Sequence, residues 1–307
     1  MGQYLTNMHF GINTWAWQLP VDAANIDAFL DWAAALNLPG DRPVIECFAS
    51  PDEADLAFAA TLKAKAADRG FSLVACGFNP NMLGPDTPSP HLASPDDAER
   101  KAAIDRACGF IRYAAAIAED GKPGILSGPW HVRHQLFTGS GPTPEERERF
   151  IEGLRQITRF AIDHNVLAGF EILNRFESYL VNTVDQALTL IDEVALPNLG
   201  INWDTSHAHI DEATDIASSL SAAAKSGRLH HVHLSENHRR TYGAGIIGPQ
   251  TPALLAALRD AGYQLGVGLE LFCEALDPAI HKWSRTEGDP TTAAAASVAF
   301  LRSHLTS

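Results

Sequence analysis

Residues 166–173 read VLAGFEIL. A strand with one wet face alternates polar and apolar side chains, whereas this run is apolar on both sides until its end. It therefore reads as a parallel strand covered by helices on both faces. The run ends on a carboxylate, Glu171, and a second, Glu177, follows six residues later with Asn174 and Arg175 between them. Strands end at the surface and surfaces are charged, so one such glutamate means little. The meaning depends on what terminates the other strands.

Working outward, seven more runs have the same character: HFGINTW (9–15), RPVIECF (42–48), FSLVACGF (71–78), PGILSGP (123–129), LGINWD (199–204), LHHVHL (229–234) and LGVGLEL (265–271). Each of the eight is followed by a helical candidate. Eight strand–helix units in 307 residues predict an α/β fold, a single (β/α)8 barrel spanning residues 1–307. A doubly wound open sheet is the competing arrangement. Ser50-Pro51-Asp52-Glu53, Ser94-Pro95-Asp96-Asp97 and Thr143-Pro144-Glu145-Glu146 read as helix starts with a hydroxyl cap and Pro at the first helical position. After Thr143, the spacing of Phe150, Leu154, Ile157 and Ala161 predicts a helix with that face against the barrel. A last helix is expected near 291–305, with Val298, Leu301 and Leu305 on one side. The two long irregular stretches, 79–93 and 130–142, both follow strands and fall on the C-terminal face of a barrel, where catalysis occurs.

Composition narrows the function classes. A net charge of −14 with histidine neutral argues against a nucleic-acid partner. No apolar run approaches the roughly 20 residues of a membrane helix. The opening MGQYLTNMHFGINTWAW lacks a basic region followed by an apolar core, so no secretory signal is expected. Cys47, Cys76, Cys108 and Cys273 show no CxxC spacing; three of them sit in apolar segments and fit small core residues, and a reduced, cytoplasmic setting is expected.

The later strands end on polar side chains at matching depths: Glu171 on the fifth, Asp204 on the sixth with His207 close behind, His233 on the seventh and Glu270 on the eighth. In a parallel barrel these ends are neighbours on one rim. Three carboxylates packed together would repel and raise one another's pKa values, and a divalent cation removes that cost. Glu171, Asp204, His233 and Glu270 are thus a candidate metal-ligand set, oxygen-rich and without thiolate. It suits one Mn2+ ion, or Co2+ or Mg2+, better than a structural zinc. In HHVHL, alternation puts His231 and His233 on one face and His230 on the other, with His231 one pleat deeper. Trp15 and Trp17 are candidates for a pocket wall or for core packing.

EILNRFESYLVNT (171–183), WDTSHAHIDE (203–212) and HVHLSENHRRTYGAG (231–245) resemble the ketose 3-epimerases, the group of D-tagatose 3-epimerase and D-allulose (psicose) 3-epimerase. That group belongs to the xylose-isomerase-like sugar isomerase and epimerase barrels. GPTPEERERFIEGLRQITRFAIDHN (141–165) is similar to the helix before its fifth strand. The likeness runs from about 124 to 272. GINTWAW and GLELF depart from the group's usual first and eighth strands, which are Tyr-rich and carry Glu-Pro. The resemblance implies that Glu171, Asp204, His233 and Glu270 bind the metal and that Glu171 and Glu270 exchange protons with the substrate. It implies substrate contacts for Glu177, His207 and Arg239, and a homodimer or homotetramer.

Epimerisation beside a carbonyl needs acid/base groups on opposite faces of one carbon and stabilisation of the enediolate between the two proton transfers. The residues leave room for other chemistry on the same scaffold: an aldose–ketose isomerase of hydroxypyruvate or inosose type, or a dehydratase. A phosphodiesterase of the endonuclease IV type would want more histidines and a basic groove. A non-catalytic sugar-binding barrel is the remaining alternative. GAGIIG (243–248) is weak evidence for a phosphate loop, so a free sugar is the expected substrate.

Overall fold

The computed structural model describes residues 8–18, 21–78, 90–134, 136, 138–237, 239, 241–272 and 289–305. Eight strands close into one parallel barrel in chain order: β1 (His9–Asn13), β2 (Val44–Phe48), β3 (Ser72–Cys76), β4 (Gly124–Ser127), β5 (Val166–Glu171), β6 (Leu199–Asp204), β7 (Leu229–Leu234) and β8 (Gly266–Leu269). The open-sheet alternative is thereby excluded. The helices outside it are α1 (Ile26–Ala35), α2 (Leu56–Asp68), α3 (Asp97–Ile117), α4 (Pro144–Asp163), α5 (Val184–Val194), α6 (Thr205–Asp211), α7 (Ile216–Lys225), α8 (Thr251–Asp260) and α9 (Pro290–Leu305). Residues 79–89 of the expected stretch 79–93, together with Cys273, lie outside the described residues. Among those described, no helix is long and apolar enough to cross a membrane.

Helix α4 shows how sequence makes an element. Thr143 Oγ1 accepts from the Glu146 N–H at 3.2 Å, and Glu146 Oε2 accepts from the Thr143 N–H at 2.8 Å, closing a capping box ahead of Pro144. Phe150, Leu154, Ile157 and Ala161 are all buried, the predicted face. Fully burying an aromatic or branched side chain contributes roughly 1.5–3 kcal/mol, so this face outweighs the cap. The other two expected caps shift. Asp96, not Ser94, caps α3, accepting from Ala98 and Glu99, because its carboxylate reaches both N–H groups. Ser50 accepts only from Asp52, and a 3-10 turn over Glu53–Asp55 precedes α2.

The barrel interior is unusual in being polar: Asn13, Glu46, Ser127, Asn202, His231 and His233 are all buried. Barrel interiors of this kind are normally filled by branched apolar residues. Space for the imidazoles comes from glycine. A Cβ at Gly200 would lie 2.4 Å from the His230 ring, and one at Gly266 would lie 2.8 Å from His231 Nδ1. The register between β6 and β7 slips, Ile201 pairing with Leu229 but Asn202 with His231. That bulge leaves His230 unpaired in the ladder. Its ring lies where a Gly200 side chain would be, on the face of β6 that also carries Asn202 and Asp204. Simple alternation, which put His230 outside, is overturned by the bulge.

Replacing Thr143 by Ala is expected to cost about 1 kcal/mol by loss of the cap. Urea unfolding monitored by circular dichroism should show a lower midpoint with an unchanged slope.

Candidate active site

The strand ends do converge. One ligand atom from each of Glu171, Asp204, His233 and Glu270 lies within 4.8 Å of the others, and all four residues are buried. Glu171 is the last residue of β5, with its N–H bonded to Gly128 O at 3.0 Å. Asp204 ends β6 and also caps α6, its Oδ1 accepting from the His207 N–H at 2.8 Å. Glu270 follows β8, its N–H bonded to Leu234 O at 3.0 Å. His233 Nδ1 is 3.4 Å from Glu171 Oε1 and 3.7 Å from Glu270 Oε2.

The residues expected at the substrate surround this group. Arg239 has a left-handed backbone (φ 54°), held by its N–H bond to Glu236 O at 2.9 Å. The turn aims its guanidinium inward. Nη1 donates to Asp204 Oδ2 at 2.6 Å, to Ser235 Oγ at 2.8 Å and to Glu270 Oε2, while Nη2 lies 2.9 Å from His207 Nε2. Glu236 spends its carboxylate on the N–H groups of Gly243, Ile247 and Gly248 at 2.8–3.1 Å. The amides of Gly243, Ile247 and Gly248 are thus internal anchors rather than part of a phosphate cradle.

Glu177 stands on the loop after β5. Asn174 orders that loop: its Oδ1 accepts from the Phe176 N–H, which leaves Nδ2 to donate to Glu177 Oε1 at 2.9 Å and to His207 Nδ1 at 2.8 Å. On its other side Glu177 Oε2 is 2.7 Å from His134 Nε2, contributed by the 130–142 stretch. Asn182 Nδ2 ties the loop down through Leu173 O and Ser178 O. Glu177 and His207 are therefore linked, through an asparagine that strand-end reasoning passes over.

The two tryptophans separate. Trp15 is buried beside Cys76 and stacks on Phe48 with ring centroids 4.4 Å apart. Trp17 packs with Phe29 and Trp32 of α1, so it belongs to the outer core.

The sequence reading does not single out Glu46. It sits mid-strand in β2, buried, with Oε1 and Oε2 at 3.0 and 2.8 Å from His233 Nε2. His231 Nε2 is 3.6 Å away, and the Ser127 hydroxyl donates to Oε1. Its signal was a lone glutamate inside the apolar run VIECF, a residue type that is rarely buried without a partner.

The electrostatics suit a cation. Burial raises Glu270, helped by Asp204 and Glu171 and against Arg239 and His233, up to about 8. Burial also raises Glu171, but hydrogen bonds from His207 and His233 more than offset this and hold it well below the carboxylate range. Burial disfavours protonation of His233, yet Glu46 and Glu270 push its pKa well above the usual value. Protons and Arg239 thus balance the carboxylates. A hard divalent ion fits the same donors, three carboxylate oxygens and Nδ1 of one imidazole.

The sequence profile of the xylose isomerase-like TIM barrel family matches residues 30–304. The chain is 34% identical over 136 residues to the D-psicose 3-epimerase of Enterocloster bolteae, covering 44% of each protein. It is 31% identical over 172 residues to the L-ribulose 3-epimerase of Mesorhizobium japonicum, covering 56% of each. The chain thus spans about half the length of the curated relatives it matches. A solved L-ribulose 3-epimerase superposes with a TM-score of 0.83 at 24% identity, over 97% of this chain and 95% of that one. The D-psicose 3-epimerase from Clostridium cellulolyticum H10, solved with D-tagatose, gives 0.79 at 25% identity, over 97% and 99%.

A divalent ion that takes Nδ1 of His233 as a ligand displaces the proton there. Titration of metal-free protein with Mn2+ in buffers of different ionisation enthalpy should show proton release at pH 7. Affinity should rise from pH 6 to pH 9, because the bound state holds fewer protons. A pH-independent affinity would contradict this.

Proposed function

The chain belongs to the xylose isomerase-like TIM barrel family, and on that footing we propose that it epimerises a free ketose at C3 with the aid of one divalent metal ion. The observation that carries the reading is the pairing of Glu171 and Glu270. They arrive from β5 and from the end of β8, on either side of the two strands that bring Asp204 and His233, and share one ligand cluster with them. Two carboxylates so placed can stand on opposite faces of one substrate carbon. The names of the relatives, 3-epimerases of psicose and ribulose, point the same way.

Glu171, Asp204, His233 and Glu270 would hold the ion, Mn2+ first and Co2+ or Mg2+ as alternatives. When bound, it would polarise the ketose carbonyl as a Lewis acid. Glu171 takes the C3 proton from one face, and Glu270 returns a proton to the other. The roles exchange in the reverse direction. Arg239, fixed by Asp204, Ser235 and Glu270, keeps positive charge beside the oxygens that become negative in the enediolate. His207 lies between Arg239 and Glu171, 2.9 and 3.4 Å away, where it can hydrogen-bond the same oxygens. Glu177, braced by Asn174 and His134, is placed to accept from a sugar hydroxyl. A free sugar is favoured over a phosphate ester because Glu236 already uses the amides of Gly243, Ile247 and Gly248. Residues 1–307 are read as one barrel domain, working in the cytoplasm as a homodimer or homotetramer, as the family resemblance implies.

Glu171→Gln and Glu270→Gln should each lower kcat by about 10²–10⁴-fold, the usual contribution of a positioned acid or base. Ketose binding measured by calorimetry should persist in both. Undiminished turnover in either variant would contradict the assignment.

A further inference from the structure

His233 is held from both ends. Its Nε2 meets both oxygens of Glu46, at 3.0 and 2.8 Å, and its Nδ1 looks towards Glu171 and Glu270. Both nitrogens face carboxylates, but the contacts at Nε2 are the shorter ones, so Nε2 keeps its N–H and Nδ1 is the nitrogen that gives up its proton to expose a lone pair.

Glu46 is itself positioned. It comes from β2, across the barrel from β7, and its Oε1 accepts from the Ser127 hydroxyl of β4. Beneath it, His231 fills the space that Gly266 and Gly268 leave on β8, where a Cβ at Gly268 would lie 3.3 Å from His231 Nε2 and 3.7 Å from Glu46 Oε2. All of these side chains are buried. A carboxylate this deep is costly without partners, and His233 and the Ser127 hydroxyl supply hydrogen bonds, with His231 Nε2 3.6 Å away.

We propose that Glu46 is a positioning residue for the metal centre: it fixes the tautomer and orientation of His233, and so sets how tightly the site holds its ion. This rests on the metal-dependent reading above. In this proposal Glu46 acts on the ion through the imidazole. Carboxylates bonded to the far nitrogen of a ligand histidine typically change metal affinity by about 10–100-fold when removed.

Calorimetric titration of metal-free protein with Mn2+ tests this on the wild type, Glu46→Gln and Ser127→Ala. Wild-type protein should bind one Mn2+ per chain. Glu46→Gln should bind it about 10–100-fold more weakly, and Ser127→Ala, which removes only the anchor, should show a smaller loss. Thermal unfolding of the metal-free proteins separates this from a merely structural role, which would lower the midpoint and leave Mn2+ affinity alone. In the Mg2+-loaded wild type, the His233 Nε2–H should give a low-field proton resonance that moves upfield in Glu46→Gln. Wild-type affinity in Glu46→Gln would overturn the proposal. If that variant does not fold, an unchanged affinity in Ser127→Ala overturns it. Failure of the wild type to bind Mn2+ would instead overturn the metal-dependent reading on which the proposal rests.

Discussion

Three buried carboxylates share a space in which their oxygens lie within 4.8 Å of one another. Two like charges about 4 Å apart repel by roughly 4 kcal/mol at an effective dielectric constant of about 20. A folded domain is stable by only about 5–15 kcal/mol. Glu171, Asp204 and Glu270 cannot all be ionised there without positive charge close by. The structure answers with Arg239 on Asp204 and Glu270, with His233 between Glu171 and Glu46, and with burial that raises the pKa of Glu270 to about 8. The same demand for positive charge makes the cluster a candidate site for a divalent ion.

That demand reaches into the barrel. His233 on β7 turns Nδ1 towards the cluster, and Glu46 on β2 meets its other nitrogen from across the interior. Glu46 in turn needs Ser127, and His231 beneath it needs the room left by Gly266 and Gly268. The interior layer below the site is therefore polar and glycine-lined, where a barrel would ordinarily be packed with Val, Ile and Leu.

Much of this was legible in the chain. VLAGFEIL, LGINWD and LHHVHL are strands nearly as written, since an unbroken apolar run with a polar terminus has few other homes. Glu171, Asp204, His233 and Glu270 were visible because strand ends in a parallel barrel share one rim. Glu46 was not, because it lies mid-strand and its partners are 81 to 187 residues away in sequence. Asn174 was hidden because its role is to join Glu177 to His207, a contact made only when two loops meet. The orientation of His230 was misread because alternation fails at a bulge, and bulges depend on the neighbouring strand.

The central claim is proton removal and return at C3 of a ketose. Incubating the Mn2+-loaded protein with D-tagatose and with D-psicose in deuterated water, and following the mixture by NMR, reads that step directly. Deuterium should enter at C3 of a ketose of inverted configuration, with the carbonyl still at C2. Deuterium at another carbon with an aldose as product, loss of water from the sugar, or no exchange at C3 of either ketose would contradict it.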